Sequence, residues 1–361
     1  MIELCMALSL FFVIATAMPV VASEVWWVRV FDFPRLQLFT LSSFLVSVEL
    51  LLLDITAPAT LALAALGSLC AASQLARILP FSPLWKKQVR QARRDDAGSA
   101  VSVLVANVLT SNRDAGPLLA FIQQQAPDVI VGLETDPWWE GQLAPLAQRY
   151  PHRLQQAQDN LYGMHLLSRY PLEDASVENL VQSDVPSMHA LLRLPCGAGV
   201  RLHALHPAPP FPGENPVSQP RDVEILVVAR SLQHHTGPTI VAGDLNDVPW
   251  SRTLRSFLAT SGLGDPRRGR GLYNSFHAAH RLLRWPLDHV FVSHHFSVRR
   301  IVRSANIGSD HFAYLVGLAL DTSAEGFEDA AASGGKTTAW TRDKLQDEAV
   351  AVEDVPTPKG Q

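Results

Sequence analysis

Apolar residues dominate residues 1–79, where they form three stretches at about 4–22, 36–53 and 55–76. Glu49 is the one charged residue within these stretches. A helix needs roughly 20 apolar residues to cross a bilayer. The pattern therefore predicts a membrane anchor of three transmembrane helices over residues 1–79.

A cleaved signal peptide is the alternative for the first stretch, because Val20-Val21-Ala22 resembles a cleavage site of small residues. A signal peptide begins with positive charge, whereas this chain begins Met1-Ile2-Glu3 and continues into two more apolar stretches. The anchor is therefore the favoured interpretation. Glu49 lies near the end of its span, and we expect it to reach towards the membrane surface rather than to have a function.

Basic residues near the helix ends predict the orientation of the anchor. The first loop, residues 23–35, carries Arg29 and Arg35, and six Lys or Arg residues follow the third stretch between Arg77 and Arg94. Both regions are therefore expected on the cytoplasmic side. Residues 80–100 form a predicted basic juxtamembrane linker, whose charges would be attracted to anionic headgroups.

Between residues 101 and 320, short β-rich runs alternate with amphipathic ones, which is typical of a layered α/β domain with β-sheet at its core. Strands are predicted at 101–109, 128–133, 165–168, 188–194, 200–205, 239–242, 290–293 and 312–320, and helices at 117–125, 137–149 and 217–232. Residues 321–361 are rich in Ala, Gly, Thr and acids without sustained periodicity, and predict a disordered acidic tail.

Composition agrees with this division. The chain is 47% hydrophobic and 18% charged, against about 25% charged in soluble domains. Its net charge of -4 by itself favours neither nucleic acid nor an acidic membrane as partner. Three cysteines are too few for a disulfide framework or a thiolate zinc site. The absence of a GxSxG motif and of a Gly-rich phosphate loop leaves serine hydrolases and P-loop enzymes without support.

Carboxylates, amides and imidazoles collect at the ends of the predicted strands, where active sites are commonly built. These residues are Asn107, Glu134, His206, Asp244, Asn246, Asp288, Asp310 and His311. Carboxylate and amide oxygens suit Mg²⁺ or Mn²⁺. His and Asp beside such a metal fit phosphoester hydrolysis, in which one group activates water and another protonates the leaving oxygen.

The motifs VANVL, PDVIVGLET, LHALHPAPP, VAGDLND, PLDHVFVS and GSDHFAY stand in this order over about residues 101–320. In this order they resemble the endonuclease/exonuclease/phosphatase superfamily, which includes deoxyribonuclease I, sphingomyelinases and inositol polyphosphate phosphatases. The resemblance implies a four-layered α/β/β/α sandwich of two packed sheets, here preceded by the three transmembrane helices. It also implies a divalent-metal-dependent hydrolase of phosphodiesters or phosphomonoesters.

The resemblance assigns roles to the residues one by one. Glu134 would be the main metal ligand, helped by Asn107 and Asp310. Asp244 would orient or deprotonate the attacking water. Two further assignments concern the substrate: Asn246 would hold a phosphate oxygen, and His206 would stabilise or protonate the leaving oxygen. His311, oriented by Asp288, would act as base or bind the scissile phosphate.

The membrane-anchored layout resembles a bacterial subgroup of this superfamily, which implies a multi-pass protein of the bacterial inner membrane with a cytoplasmic catalytic domain. The substrate stays open between nucleic acid and a phospholipid or inositol phosphate, and no protein partner is evident. Ten arginines between Arg252 and Arg303 favour a polyanionic substrate, although a solvated loop beside anionic lipid is equally compatible. The rival hypothesis is an inactive phosphate- or lipid-binding module on the same fold.

Overall fold

A computed structural model describes residues 1–92, 100–321, 339–346 and 350–357 of the chain. The α-helices are α1 (Ile2–Ala17), α2 (Trp26–Arg29), α3 (Arg35–Leu52), α4 (Pro58–Ile78), α5 (Gly116–Gln125), α6 (Pro137–Leu143), α7 (Gln219–Ser231), α8 (Arg252–Ser261) and α9 (Ala339–Gln346). The strands are β1 (Ala100–Asn107), β2 (Val129–Leu133), β3 (His152–Gln156), β4 (Met164–Ser168), β5 (Leu172–Glu178), β6 (Ser187–Arg193), β7 (Gly199–Leu205), β8 (Thr239–Asp244), β9 (Asp288–Val292), β10 (Phe296–Arg303) and β11 (Tyr314–Leu320).

Three N-terminal helices, α1, α3 and α4, are long and apolar enough to cross a membrane, as the apolar stretches predict. Their small and apolar side chains pack together, with Cys5 and Phe12 of α1 against Leu45 of α3 and Cys70 of α4. The first apolar stretch thus has packing partners in both of the other helices.

Glu49 lies on α3 inside this helix bundle, where its side chain is fully buried. The Ser9 hydroxyl of α1 donates a hydrogen bond to Glu49 Oε1 over 3.0 Å. The expectation that Glu49 reaches the membrane surface is therefore wrong. A buried carboxylate needs a hydrogen-bond partner, and α1 supplies one without any need for the side chain to extend.

Two sheets form the centre of the domain. One has the strand order β10-β11-β1-β2-β4-β3 and the other β5-β6-β7-β8-β9. Successive side chains of a strand point to opposite faces, so Val101, Val103 and Val105 of β1 pack between the sheets, while Leu104 and Ala106 face outwards. The inter-sheet core is thus built from alternate residues of the central strands.

Helices cover the outer face of each sheet. Leu118 and Ile122 of α5 and Trp139 of α6 pack on the first sheet, and Ile225 of α7 and Phe257 of α8 pack on the second. The result is the α/β/β/α sandwich that the sequence predicted, preceded by three apolar helices.

The segments flanking the domain are attached to it. In the predicted linker, Val89 is buried in the inter-sheet core and the Gln91 side chain donates to the Val298 carbonyl over 2.8 Å. Arg93 and Arg94, the last basic residues of that linker, lie outside the described residues. The first loop also packs on the domain, since the Trp250 indole donates to the Asp32 carbonyl over 2.6 Å.

Part of the predicted disordered tail is ordered. Val355 is buried against the α7–α8 layer, and Arg201 donates to the Pro356 carbonyl over 3.1 Å. The prediction of disorder is therefore wrong for residues 339–346 and 350–357, because their few apolar side chains pack against the α7–α8 layer. The other residues of the tail lie outside the described part of the chain.

Candidate active site

The eight predicted site residues meet at one edge of the sandwich, and strand direction explains why. The strands β1 and β2 are parallel, as are β7 and β8. Their carboxyl ends therefore lie at common edges, which brings Asn107 and Glu134 together in one sheet and His206 and Asp244 together in the other. Asp288 enters through the antiparallel strand β9, whose first residue pairs with Asp244.

A chain of hydrogen bonds and one ion pair connects the two sheets. The Asn107 amide donates to Glu134 over 2.8 Å and to Asp244 over 3.2 Å. Asp244 Oδ2 lies 3.4 Å from His311 Nε2, and His311 Nδ1 lies 2.8 Å from Asp288 Oδ2. The imidazole is thereby fixed between two carboxylates, one on each ring nitrogen.

The electrostatics of this chain follow from burial and from facing charges. Burial alone would lower the pKa of His311, but Asp288 and Asp244 outweigh it and raise that pKa to about 10. Burial raises the pKa of Glu134, and the charge of the nearby Asp310 adds to this effect. His311 is therefore an imidazolium at neutral pH, and Glu134 lies in an excess of negative charge.

His206 is also buried, and its Nδ1 has no hydrogen-bond partner within the described structure. Burial lowers the pKa of His206, although Asp244 and Glu134 oppose that shift. The ring of Tyr162 lies 5.6 Å from the His206 ring. A neutral imidazole, with one nitrogen unpartnered within the described structure, thus lies near Asp244 and Glu134.

An unusual backbone conformation positions two of the candidate site residues. Glu134 and Asn246 have φ values of 60° and 51°, in the left-handed region that few non-glycine residues adopt. Gly243 precedes Asp244 at φ 150°, and a Cβ there would lie 1.9 Å from the Leu205 carbonyl oxygen. The close contact of β7 and β8 next to the site therefore requires glycine.

A network of buried ion pairs and hydrogen bonds supports the Asp244–Asn246 loop. The sequence motifs did not predict this network. Arg221 of α7 is fully buried, pairs with Asp222 over 2.8 Å and donates to the Asn246 carbonyl over 2.7 Å. Asp222 accepts from Thr253, which in turn accepts from Arg29 of the first loop over 3.3 Å. The network joins the anchor to the candidate catalytic loop.

The residues present fit a divalent cation. Four carboxylates, those of Glu134, Asp244, Asp288 and Asp310, surround one imidazolium, which leaves an excess of negative charge that a cation would offset. Ligand atoms of Asp244, Asp288 and His311 lie within 4.8 Å of one another and could hold a metal. Because His311 Nδ1 is hydrogen-bonded to Asp288 and the ring is positively charged, the oxygen-rich side at Glu134 is the better match to Mg²⁺ or Mn²⁺.

Part of the arginine-rich stretch contributes to structure, whereas five of its arginines are exposed, namely Arg255, Arg281, Arg299, Arg300 and Arg303. Arg267 is fully buried and pairs with Asp265 over 2.8 Å. Arg270 donates to the Val89 carbonyl over 2.7 Å, and Arg303 donates to the Asn274 carbonyl over 2.8 Å. These arginines hold loops and the linker against the domain, so their number in the sequence overstates the charge available to a substrate.

The sequence profile of the Endonuclease/Exonuclease/phosphatase family matches residues 104–311. The chain therefore belongs to the endonuclease/exonuclease/phosphatase family, and the resemblance seen in the motifs is confirmed. This membership also confirms the prediction of a hydrolase that acts on phosphoester bonds. A comparison with curated protein sequences gave no match.

Solved structures share the fold at low sequence identity. An endonuclease/exonuclease/phosphatase from Beutenbergia cavernae is 21% identical with a TM-score of 0.50, covering 62% of this chain and 72% of its own. TDP2 of D. rerio, complexed with a single-strand DNA product, is 15% identical with a TM-score of 0.52, covering 61% and 99%. An endonuclease/exonuclease/phosphatase from Bacteroides vulgatus is 17% identical with a TM-score of 0.50, covering 62% and 100%.

Proposed function

We propose that this protein is a membrane-tethered, divalent-metal-dependent phosphoesterase that hydrolyses a phosphodiester or phosphomonoester by attack of water. The observation that carries the proposal is the chain of hydrogen bonds and one ion pair from Glu134 through Asn107, Asp244 and His311 to Asp288. It combines hard ligands, a base and a cation within one buried edge, on a fold whose family hydrolyses phosphoesters.

Each residue has a role that its contacts support. Glu134, with Asn107 and Asp310, would hold the Mg²⁺ or Mn²⁺ ion, which when bound neutralises phosphate charge. Asp244 is the group for orienting and deprotonating the water, because its other oxygen is fixed by the Asn246 amide N–H over 2.9 Å.

The remaining groups bind the phosphate and the leaving oxygen. His311, kept charged by Asp288, would donate a hydrogen bond to a phosphate oxygen. Asn246 would hold a second phosphate oxygen, and His206 would donate a hydrogen bond to the leaving oxygen as it develops charge. The tether consists of the three apolar helices, and we expect it in a bacterial inner membrane with the domain in the cytoplasm.

The test uses the full-length protein purified in detergent, with bis(p-nitrophenyl) phosphate and p-nitrophenyl phosphate as soluble substrates. Activity should require Mg²⁺ or Mn²⁺ and should be lost in EDTA. Asp244→Asn and His311→Gln should each lower kcat/KM by about 10²- to 10⁴-fold. Glu173→Gln, at an exposed ion pair with Arg193 on the rim of the second sheet, is the matched control and should keep full activity.

Two outcomes would overturn the proposal. Activity that survives both substitutions would place the chemistry elsewhere. Absence of hydrolysis with every metal and substrate, together with retained binding of phosphate, would favour the inactive binding module instead.

A further inference from the structure

An apolar cavity of about 580 Å³ opens directly onto the candidate catalytic residues. Asn246 and His311 form part of its wall, so a molecule that occupies it touches the phosphate-binding end of the site. Aromatic and aliphatic side chains supply most of the remaining wall, namely Phe31, Phe33, Phe211, Phe276, Trp285 and Leu287. The volume is that of a small-molecule site, for which about 300–1,000 Å³ is usual.

One side of this cavity comes from the membrane anchor. Phe31 and Phe33 belong to the first loop, which joins α1 to α3. Asp32, between them, accepts a hydrogen bond from the Trp250 indole and pairs with Arg29 over 3.2 Å. The Phe33 and Trp285 rings meet edge to face at 5.8 Å. The loop is therefore a fixed wall of the site rather than a spacer between helices.

Exposed apolar side chains flank the cavity where the domain meets the anchor. Trp26 and Phe211 line it and are 36% and 62% exposed. Leu282 and Leu283 are also exposed, and the Gln37 side chain at the start of α3 donates to the Leu282 carbonyl over 2.7 Å. Exposed Trp and Leu beside the ends of membrane-length helices are typical of the headgroup region of a bilayer.

The wall is poorly suited to a nucleic-acid backbone. Among its lining residues Arg29 is the one lysine or arginine, and it is buried and paired with Asp32, while the charged His311 lies at the catalytic end. Binding of a polyphosphate strand relies on accessible Lys and Arg. An apolar cavity that ends at a phosphate-binding group instead matches a molecule with an apolar body and a phosphate head.

We propose that the substrate is a membrane lipid phosphoester whose apolar chains occupy this cavity while its phosphate lies at His311 and Asn246. The proposal rests on the function proposed above and names its substrate class. In the reaction the oxygen of water forms a bond to phosphorus and the bond from phosphorus to the ester oxygen breaks. One proton of the water passes to Asp244 and the leaving oxygen gains one proton, so the products are a phosphate with one ester fewer and a free alcohol.

The first test compares substrates that share a headgroup and differ in apolar chains. Full-length protein in mixed micelles is given dioleoyl phosphatidylglycerol against glycerophosphoglycerol, and dioleoyl phosphatidate against glycerol 3-phosphate, with plasmid DNA as a third class. We expect kcat/KM to be at least about 100-fold higher for the lipid of the preferred pair, because chain burial adds binding energy that the headgroup alone lacks. The pair that is hydrolysed distinguishes a phosphodiester from a phosphomonoester.

The second test alters the wall without touching the chemistry. Val30→Asp and Phe211→Asp place a charge at lining positions that are 48% and 62% exposed, so folding should tolerate them. Both should lower kcat/KM for the dioleoyl lipid by about tenfold or more relative to kcat/KM for its soluble headgroup ester, while Phe211→Leu should behave as wild type. Leu84→Asp, at an exposed leucine outside the cavity, is the matched control.

A third readout is independent of turnover. A phosphatidylglycerol with a diazirine in its acyl chain should cross-link to the peptide that contains Phe211, and Phe211→Asp should reduce this labelling. Equal hydrolysis of lipid and headgroup, cleavage of DNA with lipids untouched, or no cross-link at residues 209–212 would overturn the lipid assignment. Hydrolysis of the soluble ester would still support the phosphoesterase in those cases, whereas loss of all hydrolysis with retained cross-linking would overturn the phosphoesterase and keep the lipid site.

Discussion

At the scale of single residues, the site depends on how burial and neighbouring charges set the protonation of each group. His311 and His206 are both buried histidines, yet the pKa of the first is raised and that of the second is lowered. The difference follows from contacts, because Asp288 bonds His311 directly over 2.8 Å, whereas His206 Nδ1 has no partner within the described structure. The same edge of the sandwich therefore carries a charged imidazole, that of His311, and a neutral imidazole, that of His206.

Replacing Asp288 by Asn tests the origin of the His311 charge. The loss of this carboxylate should lower the pKa of His311 from about 10, so the charged form is lost at lower pH. We expect the alkaline limb of the pH profile of kcat/KM to move down by at least about one pH unit. Activity at neutral pH should fall by about tenfold or more for a second reason, because the imidazole also loses the carboxylate that orients it. An alkaline limb that stays in place with bis(p-nitrophenyl) phosphate as substrate would contradict the assignment.

Glu224 on α7 provides a stability test away from the site. It is buried, its Oε1 has no partner within the described structure, and burial raises its pKa to about 8 from 4.5. The neutral form stabilises the fold fully below about pH 4.5, and this contribution is lost as pH rises through about 8. Thermal unfolding should show Tm falling over this window.

Glu224→Gln should remove most of that fall, since an amide carries no titrating proton. The effect amounts to a few kcal/mol at most, from about 1.4 kcal/mol per pH unit. Glu173→Gln, at an exposed glutamate, should leave the fall unchanged. An identical Tm decline in wild type and Glu224→Gln would show that burial does not control this carboxyl group.

The residues that the motifs singled out lie together at one edge because most of them are at or next to the end of a strand that leads to that edge. Their roles stay a prediction. The motifs did not locate Arg221, Thr253 or Phe276, which act through long-range contacts. Arg221 touches the site through the Asn246 carbonyl, and Phe276 lies 5.0 Å from the His311 ring. Such contacts depend on how loops and helices close around the sheets, which local patterns do not encode.

At the scale of elements, the strands that escaped prediction share a position. The strands β3 and β5 are the edges of their sheets, as is β10. Their side chains are largely half-buried or exposed, so their sequences lack the apolar runs by which the central strands were recognised. Helix α8 was not predicted either, because Arg252 and Arg255 make this segment resemble part of the arginine-rich stretch.

The first loop is the element whose packing matters most for the proposed site. Asp32 is buried between Arg29 and Arg35, each at 3.2 Å. Asp32→Asn removes the one carboxylate in this contact and leaves two buried guanidinium groups opposing each other. The expected cost is about 3–5 kcal/mol of stability, as for other buried pairs that lose one partner.

Thermal unfolding in detergent and limited proteolysis within residues 23–35 would measure this effect. Asp54→Asn is the matched control, because Asp54 lies exposed in the other turn between the long helices, where its side chain accepts hydrogen bonds from Thr56. It should leave Tm within about a degree of wild type. A wild-type Tm and proteolysis pattern in Asp32→Asn would show that the loop is held by its apolar contacts alone.

At the scale of the whole molecule, the average composition of 47% hydrophobic and 18% charged residues combines three parts of different composition. The apolar helices carry the hydrophobic excess. Several of the domain's arginines bond carbonyls or carboxylates, and part of the acidic tail packs on α7. The first loop and the domain are in contact, and both follow helices that end on the same side. In the proposed membrane-tethered protein, the anchor therefore determines the orientation of the site relative to the bilayer.

Thiol labelling tests that orientation, because Cys196 is exposed on the domain while Cys5 and Cys70 are buried in the helix bundle. With Cys5 and Cys70 replaced by Ala, a membrane-impermeant maleimide should label Cys196 only after a bacterial host's membrane is permeabilised, if basic residues mark the cytoplasmic side. In a version without Cys196, Thr56→Cys places a thiol in the exposed turn between α3 and α4. Three membrane crossings put this turn on the opposite side, so it should be labelled in intact cells. Labelling of Cys196 in intact cells with protection of position 56 would reverse the orientation, and equal behaviour of the two thiols would show that α4 does not span.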